Sequence, residues 1–358
     1  MYIYIHIPFC STICTYCDFP KLLYNKKYIN TYLDNLEEEI NKRYKNEPVK
    51  SIFIGGGTPT SLDYNELKRL LEITNKFNKE SNIEFTIESN IESLNKEKIQ
   101  LLSSYKVNRV SLGVQTFNDN NLKILNRHHN KEDVFNVVSL LKKENFNNIS
   151  IDLIYGIDNN IETLKKDIDY FLSLDINHIS CYSLIIEDNT LLKINNKEYI
   201  DEDIEYSMYK YIEKTLTNNN YIHYEVSNYA KEGYASIHNL NYWHNGPYYG
   251  FGLGAVSYLN NERITNTKNL TKYLNKNYID NIIKEDEQTI ISNTIILSLR
   301  TLKGLNLIEF KNKFNKDLQD IYDIDTLLKE KKLIIKDNYL SISKEYIYLS
   351  NEILLTFI

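Results

Sequence analysis

Residues 2–17 read YIYIHIPFCSTICTYC: a β-branched run, Tyr2–Ile7, then Pro8 and Phe9, then cysteines at positions 10, 14 and 17. The run predicts a strand, and the cysteines fall on the loop that leaves it. Further along, Ser51–Ile54, Ile83–Glu88, Arg109–Leu112, Ile149–Ile154 and His178–Leu184 read as strands of the same kind. Between them lie amphipathic helix candidates at Lys27–Tyr44, Tyr64–Asn78, Lys96–Ser104, Lys131–Glu144 and Glu162–Leu174. Repeated βα units predict parallel strands, and six at this spacing suit an α/β partial (β/α)6 barrel better than an open sheet. In such folds the loops after the strand C-termini gather on one face and carry the site. The cysteines follow the first strand, Gly55–Gly57 the second and Gln115 the fourth; Glu88 ends the third, and Asp152 lies near the end of the fifth.

Composition sharpens these positions. The chain has 358 residues, 30 Tyr against 13 Phe and 1 Trp, and only 11 Gly, 5 Pro, 4 Cys, 2 Met and 3 Ala. Clusters of scarce residues are therefore informative: three of the four cysteines, a Gly triplet, four further glycines between Gly246 and Gly254, and Trp243 beside His238 and His244. A hydrophobic content of 42%, a charged content of 25% and a mean hydropathy of -0.44 describe a soluble globular chain. No apolar run approaches a membrane span, and MYIYIHIPFC has neither the basic start nor the cleavage site of a secretory signal, which predicts a cytoplasmic protein. The net charge of -6 gives no general case for a nucleic-acid partner.

Thiols in a CxxxCxxC spacing suit an iron–sulfur cluster or zinc. Structural zinc wants four ligands, usually as two separated pairs, and the one remaining thiol is the distant Cys181. A disulfide would leave one of the three unpaired. Three thiolates on a [4Fe–4S] cluster leave one iron free for a small molecule. The Gly triplet allows a backbone to approach a ligand, or else makes a tight turn.

YIHIPFCSTICTYCDF, IGGGTPTSL, SLGVQTFND, LNRHH, DLIYG and YEVSNYA together resemble the radical S-adenosylmethionine (SAM) superfamily, in the group of oxygen-independent coproporphyrinogen III oxidases and HemW-type heme chaperones. The resemblance covers essentially the whole chain. It implies a [4Fe–4S] cluster on Cys10, Cys14 and Cys17, with the open iron chelating SAM. It further implies that Tyr4, Tyr16, Gly56, Gly57, Thr58, Glu88, Gln115, Arg127 and Asp152 contact SAM. Taken singly, most of these types are ordinary surface, core or capping residues. Two departures stand out: Ile91 follows the Glu-x-Asn segment where the family usually has Pro, and GIDNNI replaces Gly-Leu-Pro-x-Gln-Thr, so the loop after the fifth strand lacks its rigid turn.

Within the group, the oxidases carry a fourth cysteine two positions after the third, where this chain has Phe19, and a longer segment before the first. HNLNYW at 238–243 matches the HNxxYW motif of the chaperones. The resemblance therefore implies heme binding by His238, with heme delivered to acceptor hemoproteins such as respiratory ones. An electron donor, a homodimer and peripheral membrane contact through a partner are compatible with it. Radical decarboxylation of coproporphyrinogen III is the alternative, and a buried structural role the plain alternative for His238. The expected organisation is a barrel over 1–200, an extension over 201–285 carrying the HNxxYW motif, and a small, mainly helical, winged-helix-like module over 286–358. The Asn- and Lys-rich run 260–278 reads as a surface excursion.

Overall fold

The computed structural model describes residues 1–358. Six parallel strands form its centre: β1 (Tyr2–Ile7), β2 (Val49–Gly56), β3 (Lys79–Asn90), β4 (Arg109–Gln115), β5 (Asn148–Tyr155) and β6 (His178–Ser183). They pair in sequence order, all parallel. The crossovers carry α1 (Lys26–Arg43), α2 (Tyr64–Ile73), α3 (Lys96–Ser104), α4 (Lys131–Lys143) and α5 (Ile161–Ser173). These are the expected βα units, and the architecture is the expected α/β partial barrel.

The sheet extends beyond the six. After α6 (Glu202–Asn218), β7 (Ile222–Glu225) and β8 (Asn228–Ala230) form a hairpin whose β8 pairs antiparallel with β6. At the other edge β9 (Tyr249–Phe251), from the second glycine group, pairs parallel with β1. Nine strands thus run in the order β9-β1-β2-β3-β4-β5-β6-β8-β7.

Alternation along the strands sorts side chains between two environments. Ile3, Ile5, Ile7, Ile52, Ile54, Phe85, Ile87, Val110 and Leu112 belong to one core cluster of 58 buried residues. The intervening positions hold Tyr2, Tyr4, His6, Ser51, Thr86, Arg109, Ser111, Ser150 and His178. An ordinary barrel fills its interior with branched apolar side chains; this one is polar inside.

The run 260–278 is a correction to the sequence reading. It contains β11 (Glu262–Asn266), flanked by β10 (Val256–Leu259) and β12 (Ile279–Lys284) in a three-stranded antiparallel sheet. Tyr273 is fully buried, stacks on Tyr32 at 4.9 Å, and donates to the Glu39 carboxylate at 2.8 Å. Glu39, itself buried, also accepts from Asn266 Nδ2 at 2.7 Å and the Gly252 amide at 3.0 Å, and pairs with Arg43. Tyrosines spaced among asparagines anchor this segment although its average composition is polar.

Past residue 286, α8 (Glu287–Ser298), α9 (Leu307–Phe314) and a small sheet in the order β13 (Leu305–Asn306), β15 (Tyr339–Ile342), β14 (Leu333–Lys336) enclose a separate cluster of 14 buried residues. Backbone bonds from Val226 to Arg300 and from Leu302 to Tyr224 tie it to the hairpin edge. The Glu39 node holds 252–273 to α1, so Glu39→Ala, which leaves the Arg43 guanidinium with only the neutral acceptors of Gly250, Asn266 and Ser257, is expected to cost about 3 kcal/mol in urea unfolding.

Candidate functional site

The six central strands all lead to one cavity of about 390 Å³. The loop after β1 brings Cys10, Cys14, Tyr16 and Cys17 to its wall; β2 and its following turn bring Gly56, Gly57 and Thr58; β3 brings Glu88 and Asn90. Ser111, Gly113 and Gln115 come from β4, Arg127 from the loop before α4, Asp152 from β5 and Tyr182 from β6. All three thiols in the cluster motif and all the SAM-site candidates except Tyr4 therefore line one space. Tyr4 lies deeper, its hydroxyl 2.9 Å from His6 Nδ1.

The glycines have local reasons. Gly56 has φ +113°, and a Cβ there would sit 2.5 Å from the His6 ring. A Cβ on Gly57 would meet the Pro8 carbonyl carbon at 2.7 Å and Cys10 Sγ at 2.9 Å. The triplet lets the second loop lie directly against the cysteine loop, so turn and close approach are one feature. The cysteine loop is further pinned by the Tyr24 amide on Cys10 O, His6 Nε2 at 2.8 Å from Pro20 O, and Lys21 Nζ on Cys17 O.

Around the thiols the contacts are specific. Thr58 Oγ1 lies 3.7 Å from Cys10 Sγ and Arg127 Nη1 3.6 Å from Cys14 Sγ. Burial pushes the Cys10 thiol up to about 11, so a thiolate there calls for a metal's charge beside it. Cys181 is buried in the main core and does not line the cavity, which leaves three thiols. No three Cys, His, Asp or Glu side chains anywhere surround a point where a single ion would sit.

The acidic side is equally defined. Glu88 Oε2 accepts the Gly56 amide at 3.0 Å, and burial together with the charge of Asp152 pushes its carboxyl up to about 7. Burial also raises Asp152, which accepts from Ser111 at 3.4 Å. Gln115 stands at a register shift in β4 with φ 70°, a left-handed backbone that turns its side chain to the cavity. Where the rigid turn is missing after β5, Asp158 accepts from Asn121 Nδ2 at 2.8 Å and the Asn160 amide at 2.8 Å, closing that loop without touching the cavity. Asn90 was not singled out by the sequence reading. It lies two residues after Glu88 on the same strand, and that period of two was the available signal.

His238 lies at the opposite end of the barrel, on α7 (Ile237–Trp243). Glu84 of β3 accepts the Ile237 and His238 amides at 3.0 Å each, seating the helix N-terminus. The ring is 1% exposed and both nitrogens are engaged: Nδ1 with Ser51 Oγ at 2.7 Å, Nε2 with Tyr242 Oη at 2.8 Å. Burial, then the charge of Arg109, takes its pKa down to about 3. His238 thus closes the barrel base, away from the cysteines.

Glu88 titrates near 4.5 when unfolded and near 7 when folded. The folded state binds that proton more tightly, so stability falls as pH rises through this window. Glu88→Gln keeps an acceptor for Gly56 and removes the titration; urea midpoints measured across that range should flatten relative to wild type.

Residues 4–171 match the model of the radical SAM superfamily, and 286–352 that of the HemN C-terminal domain. The heme chaperone HemW of Lactococcus lactis subsp. lactis (strain IL1403) is 38% identical, over 92% of this chain and 90% of its own. That of Bacillus subtilis (strain 168) is 36% identical, over 89% and 88%, and that of Escherichia coli (strain K12) 33%, over 71% and 68%. The solved structure of coproporphyrinogen III oxidase (HemN) from Escherichia coli superimposes with a TM-score of 0.88 over 99% of this chain and 89% of that one, at 21% identity, which shows a shared fold. With relatives this similar along nearly its whole length, the chain belongs to the HemW family of radical SAM proteins.

Proposed function

We propose that this protein is a heme chaperone that holds one [4Fe–4S] cluster, SAM and heme, and passes heme to acceptor hemoproteins. The observation that carries the reading is the convergence of three thiols and the SAM-type polar residues on one cavity, in a chain whose relatives are named heme chaperones. Tetrahedral zinc would gather its sulfurs to about 3.8 Å of one another. A structural zinc takes four protein ligands, whereas this cavity offers three thiols, the number that suits a cluster with one open iron. Cys10, Cys14 and Cys17 would hold three irons, and with no fourth thiol in the cavity the last iron stays open. Such a cluster, when bound and reduced, would supply a low-potential electron to SAM.

The chain's own residues supply the rest. The Gly56–Gly57 backbone leaves room for the methionine end of SAM, Glu88 and Gln115 offer hydrogen bonds to amine and hydroxyl groups, and Arg127 offers its guanidinium to a carboxylate. Phe19, 62% exposed on the cavity rim, stands where the oxidases have their further cysteine and supports the chaperone reading over decarboxylation. No helix is long and apolar enough to cross a membrane. The reading places the protein in the cytoplasm, with an electron donor, a hemoprotein acceptor and a second copy of the chain as partners and any membrane contact made through a partner. We assign the barrel to 1–200, the HNxxYW-bearing extension to 201–285, and the C-terminal module to 286–358.

For heme, His238 is the proposed ligand. Ser51 holds Nδ1 in the way a supporting group orients a metal-bound imidazole. Nε2 becomes free when the Tyr242 side chain, one turn further along the same helix, turns away.

Two sets of variants test this. After anaerobic reconstitution, Cys→Ala at 10, 14 or 17 should abolish iron–sulfide absorbance. In heme titrations followed by visible absorption, His238→Ala should weaken binding and change the spectrum, whereas Tyr242→Phe, which removes the competitor for Nε2, should strengthen it. Coproporphyrinogen turnover without stable heme binding would establish the oxidase instead.

A further inference from the structure

We infer that Asn90 is a positioning residue that joins two of the three cysteine ligands through one hydrogen-bond chain and thereby sets the potential of the cluster. The inference rests on the proposed cluster at Cys10, Cys14 and Cys17. Asn90 Nδ2 donates to Thr58 Oγ1 at 3.1 Å, and Thr58 Oγ1 lies 3.7 Å from Cys10 Sγ. On its other side Asn90 Oδ1 accepts from Arg127 Nη1 at 2.8 Å, and the same nitrogen is 3.6 Å from Cys14 Sγ. Arg127 is buried, and its Nη2 donates to the Gly113 carbonyl.

The directions of these bonds follow from the donor inventory. Arginine has no acceptor, so the amide oxygen of Asn90 must face Arg127 and its NH2 must face Thr58. Thr58 accepts from that NH2 and keeps its single proton for the Cys10 sulfur. One Nη1 proton serves Asn90, leaving the other for Cys14. A single side chain thus fixes which way both sulfur donors point. Hydrogen bonds to cluster sulfurs make reduction easier, because they stabilise the added negative charge.

Asn90→Asp is the informative change. The new carboxylate retains the Arg127 contact, but it accepts where the amide donated, so it draws the Thr58 proton away from Cys10. The cluster loses a sulfur donor and gains a nearby negative charge. The experiment is an EPR-monitored redox titration of the reconstituted, SAM-free protein, with iron release to a chelator followed in parallel. Asn90→Asp should shift the midpoint potential negative and Thr58→Val should shift it the same way. Asn90→Asp introduced into Thr58→Val should shift it less than it does in wild type, the non-additivity expected of residues in one network. Asn90→Ala should release iron about tenfold faster. Should Asn90→Asp not fold, Thr58→Val against Thr58→Ser decides: valine must shift the potential and serine, which keeps the hydroxyl, must not. An unchanged potential in Asn90→Asp, strictly additive shifts, or equal potentials for valine and serine would overturn this proposal alone. A wild-type protein that takes up no iron and sulfide would overturn the cluster reading together with it.

Discussion

The two-residue period of the parallel strands is the constraint on which everything else depends. In β1 it places Ile3, Ile5 and Ile7 under the helices and Tyr2, Tyr4 and His6 in the interior, and the same partition recurs in β2 to β4. A one-residue slip would exchange the faces, burying the tyrosines and the histidine under the helices and stranding isoleucine in a polar lumen. Because all six strands are parallel and in this register, their last inward positions meet at one level. Glu88, Gly113, Asp152 and Tyr182 share a cavity for that reason, and the loops that follow complete it.

The polar interior has its own consequence. Groups removed from water need partners, and at the barrel base two matched sets supply them. Ser150, His178 and Tyr224 form one, with His178 Nδ1 at 2.7 Å from Ser150 Oγ and Nε2 at 2.7 Å from Tyr224 Oη. Ser51, His238 and Tyr242 form the other with nearly the same distances. Each joins a barrel serine to a tyrosine that comes later in the chain, so the barrel base is closed by hydrogen bonds rather than by apolar packing alone.

What the sequence made legible was whatever depends on local pattern. The six strands and their helices follow from apolar periodicity, and the cavity residues follow because strand ends in such a fold must converge. The run 260–278 was misread because a window average hides Tyr273 and Tyr278, whose burial depends on Glu39 and Asn35 some 230 residues earlier. The asparagine bias looked like mere composition. Of the sixteen non-glycine residues with positive φ, ten are asparagine, which takes the left-handed turns a glycine-poor chain must still make. Asn90 escaped notice for a related reason: among so many asparagines, the one bound to both Thr58 and Arg127 carries no mark of its own until the strands are placed.

The site at the strand ends and the histidine at the base pose different physical problems. At the top, thiols and carboxyls line an open cavity, and a ligand needs only to arrive. At the base, His238 is already satisfied by Ser51 and Tyr242. Burial and the Arg109 charge hold His238 near 3, and the same causes lower His178, so neither ring takes up a proton near neutral pH. Both rings at the base are therefore held neutral between a serine and a tyrosine, the arrangement that burial beside the Arg109 charge requires.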